Sequence, residues 1–293
     1  MRILITGSNG LLGQKIVDQL NNSSTTFLAT SKGENRNPLC ADANYQQMDI
    51  SDVVEIEAIF NQFNPTHVIH TAAMTNVDQC EQQPDECNRI NYESVQLLFE
   101  ASIKYNAHFQ LLSTDFVFDG EKGNYKEDDL VNPLSVYALS KVNAEQLLNA
   151  SSNTNWSIVR TIIVYGTANN LSRSNIVYWA KDALEKEQEL AIIDDQFRAP
   201  TWASDLAWAC IRICELSKIG IFHISGPTTF SVYEIVEKIA HYFNLSTKKL
   251  TKSNSLNLNQ PAKRPPKTGF DISKAKTELG YNPKTLEETF SIL

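Results

Sequence analysis

Short runs of apolar residues alternate with longer, helically spaced segments through the first half of the chain. The short runs predict buried strands at residues 2–6, 27–30, 66–73, 109–113 and 157–164. Between them, helical spacing of apolar positions predicts helices, including those over residues 51–60 and 92–105. Near-continuous apolar strands separated by helices are typical of a parallel sheet covered on both faces. The pattern therefore predicts an α/β fold with a doubly wound parallel sheet.

The second half has shorter predicted strands and a less regular rhythm. Its predicted elements are helices near 175–186, from Ser204 and from Ser231, and strands at 190–193 and 221–225. We expect the chain to divide into residues 1–165, which form the sheet, and residues 166–293, which form a smaller mixed region. Elements near 200–225 are expected to return to the main sheet.

Composition narrows the class of protein. The 293 residues carry a net charge of -8 and show no basic run, which argues against a nucleic-acid partner. No apolar run approaches the roughly 18–20 residues that span a membrane. Five cysteines without a secretion signal indicate a reducing, cytoplasmic location with free thiols. Cys210 and Cys214 share a helical face without a histidine pattern, so we expect core residues and no metal site.

A glycine-rich turn stands between the first predicted strand and the first helix. Gly7, Gly10 and Gly13 have the spacing G-x-x-G-x-x-G, which differs from the common G-x-G-x-x-G fingerprint. Glycines here permit a tight turn and close approach of the backbone to a pyrophosphate at the helix start. The turn predicts a Rossmann-type dinucleotide site that also includes Asn9, Leu11 and Leu12.

The residues at the end of the second predicted strand indicate which nicotinamide cofactor the protein prefers. Thr30, Ser31 and Lys32 offer hydroxyl groups and a cation there, whereas an acidic residue would hold the ribose 2′-hydroxyl of NAD. Hydroxyls and cations suit a 2′-phosphate, so we expect NADP(H) to be preferred and NAD(H) to be the second option. The alternative is that Lys32 is a solvated loop residue. Asp49 and Ile50 follow another short run, where contact with the adenine is expected.

Tyr137 and Lys141 stand four residues apart where a helical pattern begins, so their side chains share one face. Reduction of a ketone needs a hydride on carbon and a proton on oxygen. A tyrosine with a pKa of about 10 keeps its proton at neutral pH, and a nearby lysine stabilises the phenolate. The spacing alone also occurs by chance; its position after a glycine turn and a Ser-Thr pair favours catalysis.

These motifs resemble a known family. Together with the glycine turn and Tyr137-x-x-x-Lys141, residues 113–120 (STDFVFDG) are similar to an extended short-chain dehydrogenase/reductase. Three further segments resemble dTDP-4-dehydrorhamnose reductases, at residues 71–91, 194–207 and 263–271. The resemblance implies that Tyr137 is the general acid, that Lys141 is its electrostatic partner and an anchor for the nicotinamide ribose, and that Thr114 fixes the carbonyl oxygen.

The resemblance also implies further binding residues. On the cofactor side they are Ala72, Ala73 and Asn91, the last of which the wider family links to proton relay. On the substrate side they are Thr75, Asp115, Phe116, Arg198 and Arg264. Arginine forks suit a diphosphate, and the alternative for both arginines is a solvated surface position. The chain departs from the reductase pattern at Phe116, where relatives usually have tyrosine, and at Cys80 and Cys87, where they usually have alanine.

The expected activity is NADPH-dependent reduction of a 4-keto sugar nucleotide, with dTDP-4-dehydro-L-rhamnose as the best single substrate. Alternatives are a nucleotide-sugar epimerase, a reductase of another keto-sugar, and a non-catalytic NADP-binding regulatory subunit. A dehydratase should carry an acidic pair after the threonine, whereas Asp115 is followed by Phe116. The resemblance is compatible with a homodimer. Some relatives use magnesium at a dimer contact, and nothing in this sequence specifies such a site.

Overall fold

A seven-stranded parallel sheet forms the centre of the molecule. The computed structural model describes residues 1–171, 174–257 and 260–293. In those ranges the strands are β1 (Arg2–Thr6), β2 (Thr26–Ser31), β3 (Tyr45–Gln47), β4 (His67–His70), β5 (His108–Thr114), β6 (Trp156–Thr161), β7 (Val164–Tyr165), β8 (Leu190–Ile193), β9 (Phe197–Arg198), β10 (Thr201–Trp202), β11 (Gly220–Ile224), β12 (Phe230–Ser231) and β13 (Leu250–Ser253). The central sheet has the order β11-β6-β5-β4-β1-β2-β3, with every pair parallel. The predicted doubly wound α/β fold is confirmed.

Helices cover both faces of this sheet. The helices are α1 (Leu11–Leu20), α2 (Val53–Phe63), α3 (Val77–Gln82), α4 (Pro84–Asn88), α5 (Ser94–Lys104), α6 (Val136–Asn149), α7 (Ile176–Glu185), α8 (Ala203–Glu215), α9 (Val232–Tyr242), α10 (Ser273–Leu279) and α11 (Leu286–Phe290). One buried core joins the sheet to α1 and α8, and another joins it to α2, α5 and α6. Within the described ranges, no helix combines the length and the apolar character that crossing a membrane requires.

The second half builds a third core beside the sheet. Its buried residues come from α7, α9, α11 and the parallel pair of β8 and β13. Ser231 opens α9 as predicted, as its N-cap, with a capping box in which Ser231 and Glu234 each bond to the other's backbone N–H. In contrast, Ser204 does not open α8: the helix begins at Ala203, and Trp202 occupies the N-cap without a side-chain bond. The edge strand β11 pairs with β6 of the central sheet.

The helix predicted over residues 92–105 has a modified start. Residues Arg89–Glu93 form a π-helical turn, which places Asn91 toward the interior, and α5 follows from Ser94. Single π-turns inside helices are frequent at functional sites. Because all strands of the sheet are parallel, the carboxyl ends of β1, β2, β4 and β5 meet at one edge, and ligands of such folds bind there.

Candidate active site

The glycine turn connects β1 to α1 in very little space. Gly7 has φ +74°, and a Cβ atom there would lie 2.5 Å from the backbone nitrogen of Ala72. A Cβ on Gly13 would lie 2.4 Å from the carbonyl oxygen of Gly7. Gly10 is the N-cap of α1, and no side chain caps its first turn. The free N–H groups of that turn can therefore bind the pyrophosphate of a dinucleotide, as the sequence predicts.

The loop after β2 is fixed to this turn by side-chain bonds. The Asn9 N–H donates to the Ser31 hydroxyl at 3.0 Å, and the Asn9 amide accepts from the Arg36 N–H at 2.8 Å. Leu11 and Leu12, at the start of α1, are partly buried. Asn9 and Ser31 thus fix the loop after β2 to the glycine turn, and their contact with the cofactor remains a prediction.

Two residues predicted to meet the cofactor contact each other. The Lys32 ammonium lies 2.7 Å from the Asp49 carboxylate, and the Lys32 side chain is 78% exposed. Hydrogen bonds from Lys32 and Ser51 hold the pKa of Asp49 well below its usual range. Ile50 is partly buried beside this pair. The exposed ammonium stands at the end of β2, where a 2′-phosphate is expected, with its charge partly offset by Asp49.

Thr114 and Tyr137 are brought together by the end of β5 and the start of α6. Thr114 is the last residue of β5, and Ser135 caps α6 by accepting from the Ala138 N–H at 3.2 Å. Burial raises the pKa of the Tyr137 phenol, while its hydrogen bond with Thr114 lowers that pKa. The phenol therefore stays protonated at neutral pH and can serve as an acid.

Lys141 lies one turn further along α6 and is 3% exposed. Burial lowers the pKa of Lys141 to about 8, although Glu145 and Cys87 act to raise it. The lysine is thus mostly protonated at neutral pH, and a small rise in pH is enough to deprotonate it. Burial and Lys141 also lower the pKa of the nearby His70 to about 3, so that imidazole is neutral.

Asn91 joins the loop after β4 to α6, the helix that carries Tyr137 and Lys141. Its amide accepts from the Met74 N–H at 2.8 Å and donates to the Met74 carbonyl at 3.0 Å. It also donates to the Ser140 hydroxyl at 3.1 Å, and Ser140 in turn donates to the Tyr137 carbonyl at 2.7 Å. All of these bonds are structural, and a contact of Asn91 with cofactor remains a prediction. Ala72 and Ala73 lie in the same loop, partly exposed beside the glycine turn.

On the substrate side, Asp115 and Arg198 are buried together. The Arg198 Nε lies 3.7 Å from the Asp115 carboxylate, which also accepts from the Thr268 hydroxyl. The Arg198 guanidinium donates to the carbonyls of Pro265 and Pro266, at 2.6 and 3.2 Å, and the side chain is 2% exposed. Arg198 therefore ties the segment of Pro265 and Pro266 to Asp115, and its predicted contact with a diphosphate stays a prediction.

The remaining predicted substrate residues lie nearer the surface. Phe116 packs edge-on against Tyr137, with ring centroids 6.2 Å apart. Arg264 is partly buried and forms an ion pair with Asp78 of α3 at 2.7 Å, and Thr75 is exposed at the start of that segment. The structure thus places Phe116 beside Tyr137 and orients Arg264 through a carboxylate from α3.

The sequence analysis missed a polar network that lies behind the triad of Thr114, Tyr137 and Lys141. Glu145 and Arg160 are each 3% exposed and form an ion pair of 2.6 Å, to which Ser113 also bonds. One signal was available in the sequence, because Glu145 stands four residues after Lys141 and thus on the same face of α6. Sequence spacing could not show that the partner of Glu145 is Arg160 on β6.

A doubly wound sheet with a glycine turn after β1 and a Thr–Tyr–Lys set at its carboxyl edge defines a short-chain dehydrogenase/reductase. Residues 1–291 match the sequence profile of the RmlD substrate binding domain, and the chain belongs to that family.

Relatives of known name agree with this assignment. The dTDP-4-dehydrorhamnose reductase of Aggregatibacter actinomycetemcomitans is 30% identical over 295 residues, covering 96% of this chain and 94% of the relative. The crystal structure of the Bacillus anthracis dTDP-4-dehydrorhamnose reductase in complex with NADP superimposes with a TM-score of 0.87 at 26% identity, covering 99% of this chain and 97% of that one. Methionine adenosyltransferase 2 subunit beta of Rattus norvegicus is 29% identical over 293 residues, covering 97% of this chain and 84% of the relative.

Proposed function

We propose that this protein reduces the 4-keto group of a nucleotide sugar with NADPH, and that its substrate is dTDP-4-dehydro-L-rhamnose. The observation that carries the proposal is the meeting of Thr114, Tyr137 and Lys141 at the sheet edge that holds the glycine turn. The named reductases among the relatives supply the substrate class. The glycine turn fits a dinucleotide, because it leads into the N-terminus of α1, where no side chain caps the N–H groups that can bind a pyrophosphate.

The residues divide the work of the reduction. NADPH held at the glycine turn would supply the hydride for the carbonyl carbon. The Thr114 hydroxyl binds the carbonyl oxygen and orients it toward Tyr137. Tyr137 then gives its phenolic proton to that oxygen, and the Lys141 ammonium stabilises the phenolate left behind. Phe116 supports the Tyr137 ring from one edge.

The proposal predicts an alkaline loss of activity set by Lys141. Because burial lowers the pKa of this ammonium to about 8, turnover should be level below that pH and fall above it. Tyr137 is not the first group to titrate, since burial raises its pKa. The measurement is kcat against pH at saturating substrate. Lys141→Arg keeps a cation with a much higher pKa, so the alkaline fall in kcat should move to higher pH in this variant. A limb that stays in place in this variant would contradict the assignment.

Cofactor preference should depend on Lys32. Lys32→Ala should raise KM for NADPH about tenfold and leave KM for NADH within about twofold, because only NADPH carries the 2′-phosphate. A matched control is Lys104→Ala. Lys104 is another exposed lysine, at the end of α5, and its ammonium lies 2.7 Å from the Glu57 carboxylate. Equal changes for the two cofactors in Lys32→Ala would show that Lys32 is only a surface residue.

The function itself is tested by NADPH oxidation with enzymatically generated dTDP-4-dehydro-L-rhamnose. Turnover that depends on Tyr137 would establish the reductase, and a comparison with other 4-keto sugar nucleotides would rank the substrates. Tight NADPH binding without oxidation of any of them would instead favour the regulatory alternative. The methionine adenosyltransferase subunit beta among the relatives gives that alternative a precedent by similarity. The complete catalytic set in this chain favours the enzyme.

A further inference from the structure

A buried ion pair lies directly behind the catalytic lysine. Arg160 of β6 binds the Glu145 carboxylate through two nitrogens, with Nη2 at 2.6 Å from Oε2 and Nε at 3.0 Å from Oε1. Both side chains are 3% exposed. Charged groups are rarely buried to this degree unless they are paired, and such a pair does not by itself add much stability. Its position suggests a role in the reaction.

The Glu145 carboxylate connects the elements that carry the triad. Glu145 stands one helical turn after Lys141 and two turns after Tyr137, so all three share one side of α6. The Ser113 hydroxyl donates to Glu145 at 2.5 Å, and Ser113 immediately precedes Thr114 on β5. The Glu145 carboxylate thus links α6, which carries Tyr137 and Lys141, to β5, which ends at Thr114.

The same carboxylate is one of two acidic groups near Lys141, and the other is the Cys87 thiol. The titratable groups that face this lysine within the described residues are Glu145 on its own helix, Cys87 on α4 and His70 on β4. His70 is neutral because its pKa is lowered to about 3. Hydrogen bonds, first that with Cys80, lower the pKa of the Cys87 thiol to about 7, and this thiol is the same in every variant compared below. Arg160 approaches Glu145 from β6 instead, where its Nη1 also donates to the Glu127 carbonyl at 3.2 Å and contacts His223 at 3.3 Å.

We infer that Glu145 is a positioning residue for the reduction: its carboxylate keeps Lys141 protonated and holds α6 at a set distance from Thr114. Arg160 and Ser113 orient that carboxylate. The inference rests on the proposed function for its effect on turnover, but the protonation of Lys141 can be measured without any substrate.

The test separates charge from structural support. Glu145→Gln alone leaves Arg160 buried without a counter-charge and is expected to lose stability. The double variant Glu145→Gln/Arg160→Met removes both charges at similar volume and should melt near the wild type. In this double variant the Lys141 titration, followed by NMR of ¹³C-labelled lysine and assigned with Lys141→Gln, should move down by about one pH unit. The alkaline limb of kcat should move with it, with KM for NADPH within about twofold.

The control is Glu127→Gln, which removes a carboxylate of the same network that bonds to the His223 N–H and not to α6. It should leave the Lys141 titration in place. If the double variant restores stability and also titrates and turns over like the wild type, Glu145 only neutralises Arg160 and the inference is wrong. If the wild type shows no turnover while the double variant still shifts Lys141, the effect of Glu145 on Lys141 stands and the proposed function fails.

Discussion

Tyr137→Phe is expected to lower kcat for NADPH oxidation about a thousandfold and to leave the Kd for NADPH within a factor of about two. The change removes one hydroxyl and keeps the ring that packs against Phe116. The loss should therefore fall on proton transfer to the carbonyl oxygen and not on the fold. Single-turnover kinetics and NADPH fluorescence measure the two quantities separately.

A suitable control for this variant is Tyr165→Phe. The Tyr165 hydroxyl is buried and hydrogen-bonded to Thr289 at 2.8 Å in the second half of the chain. Its removal should cost about 1 kcal/mol of stability without changing kcat, because Tyr165 is not part of the proposed catalytic set. If Tyr137→Phe retains more than about a tenth of the wild-type turnover, Tyr137 is not the acid.

Gly7→Ala should be the most damaging small substitution in the cofactor site. The backbone at Gly7 has φ +74°, and the added methyl would lie 2.5 Å from the Ala72 nitrogen. Left-handed backbone strain and overlap together should lower the free energy of unfolding by about 3 kcal/mol. Because relief requires β1 and the loop after β4 to move apart, the Kd for NADPH should rise at least about a hundredfold.

Gly33→Ala separates the two causes. Gly33 has a similar φ of +86°, but a methyl there would meet nothing within 4 Å. It should therefore show only the backbone cost of about 1 kcal/mol and nearly normal NADPH binding. Chemical denaturation and NADPH titration of the two variants provide the comparison. Equal losses at the two positions would mean that the contact with Ala72 has no part in forming the site.

Local patterns predicted the sheet and the relative positions of the triad residues. Apolar runs located every central strand except β3, and four-residue spacing placed Tyr137 and Lys141 on one helix face, because both features depend only on neighbours in sequence. The helix start at Ala203 was missed by one residue, since β10 ends at Trp202 and runs directly into α8 without a side-chain cap.

The partners of charged residues were not predictable in the same way. Lys32 pairs with Asp49, and Arg198 bonds to Pro265 and Pro266, because segments far apart in sequence end at the same edge. The sequence shows that each residue carries a charge, but it does not show which group that charge will face. Similarly, the role of Glu145 depends on Arg160, which arrives from the neighbouring strand.

The segment around Gly269 has a consequence for how the protein becomes active. The Tyr125 N–H donates to the Gly269 carbonyl and the Asp271 N–H donates to the Tyr125 carbonyl, each at 2.8 Å, while Thr268 bonds to Asp115 beside the triad. The loop between β5 and α6 is therefore completed by residues made long after the central sheet. Pairings between such distant segments form late in folding. We therefore expect the glycine turn to form first during synthesis, and the proposed active site to be complete only once residue 271 has docked.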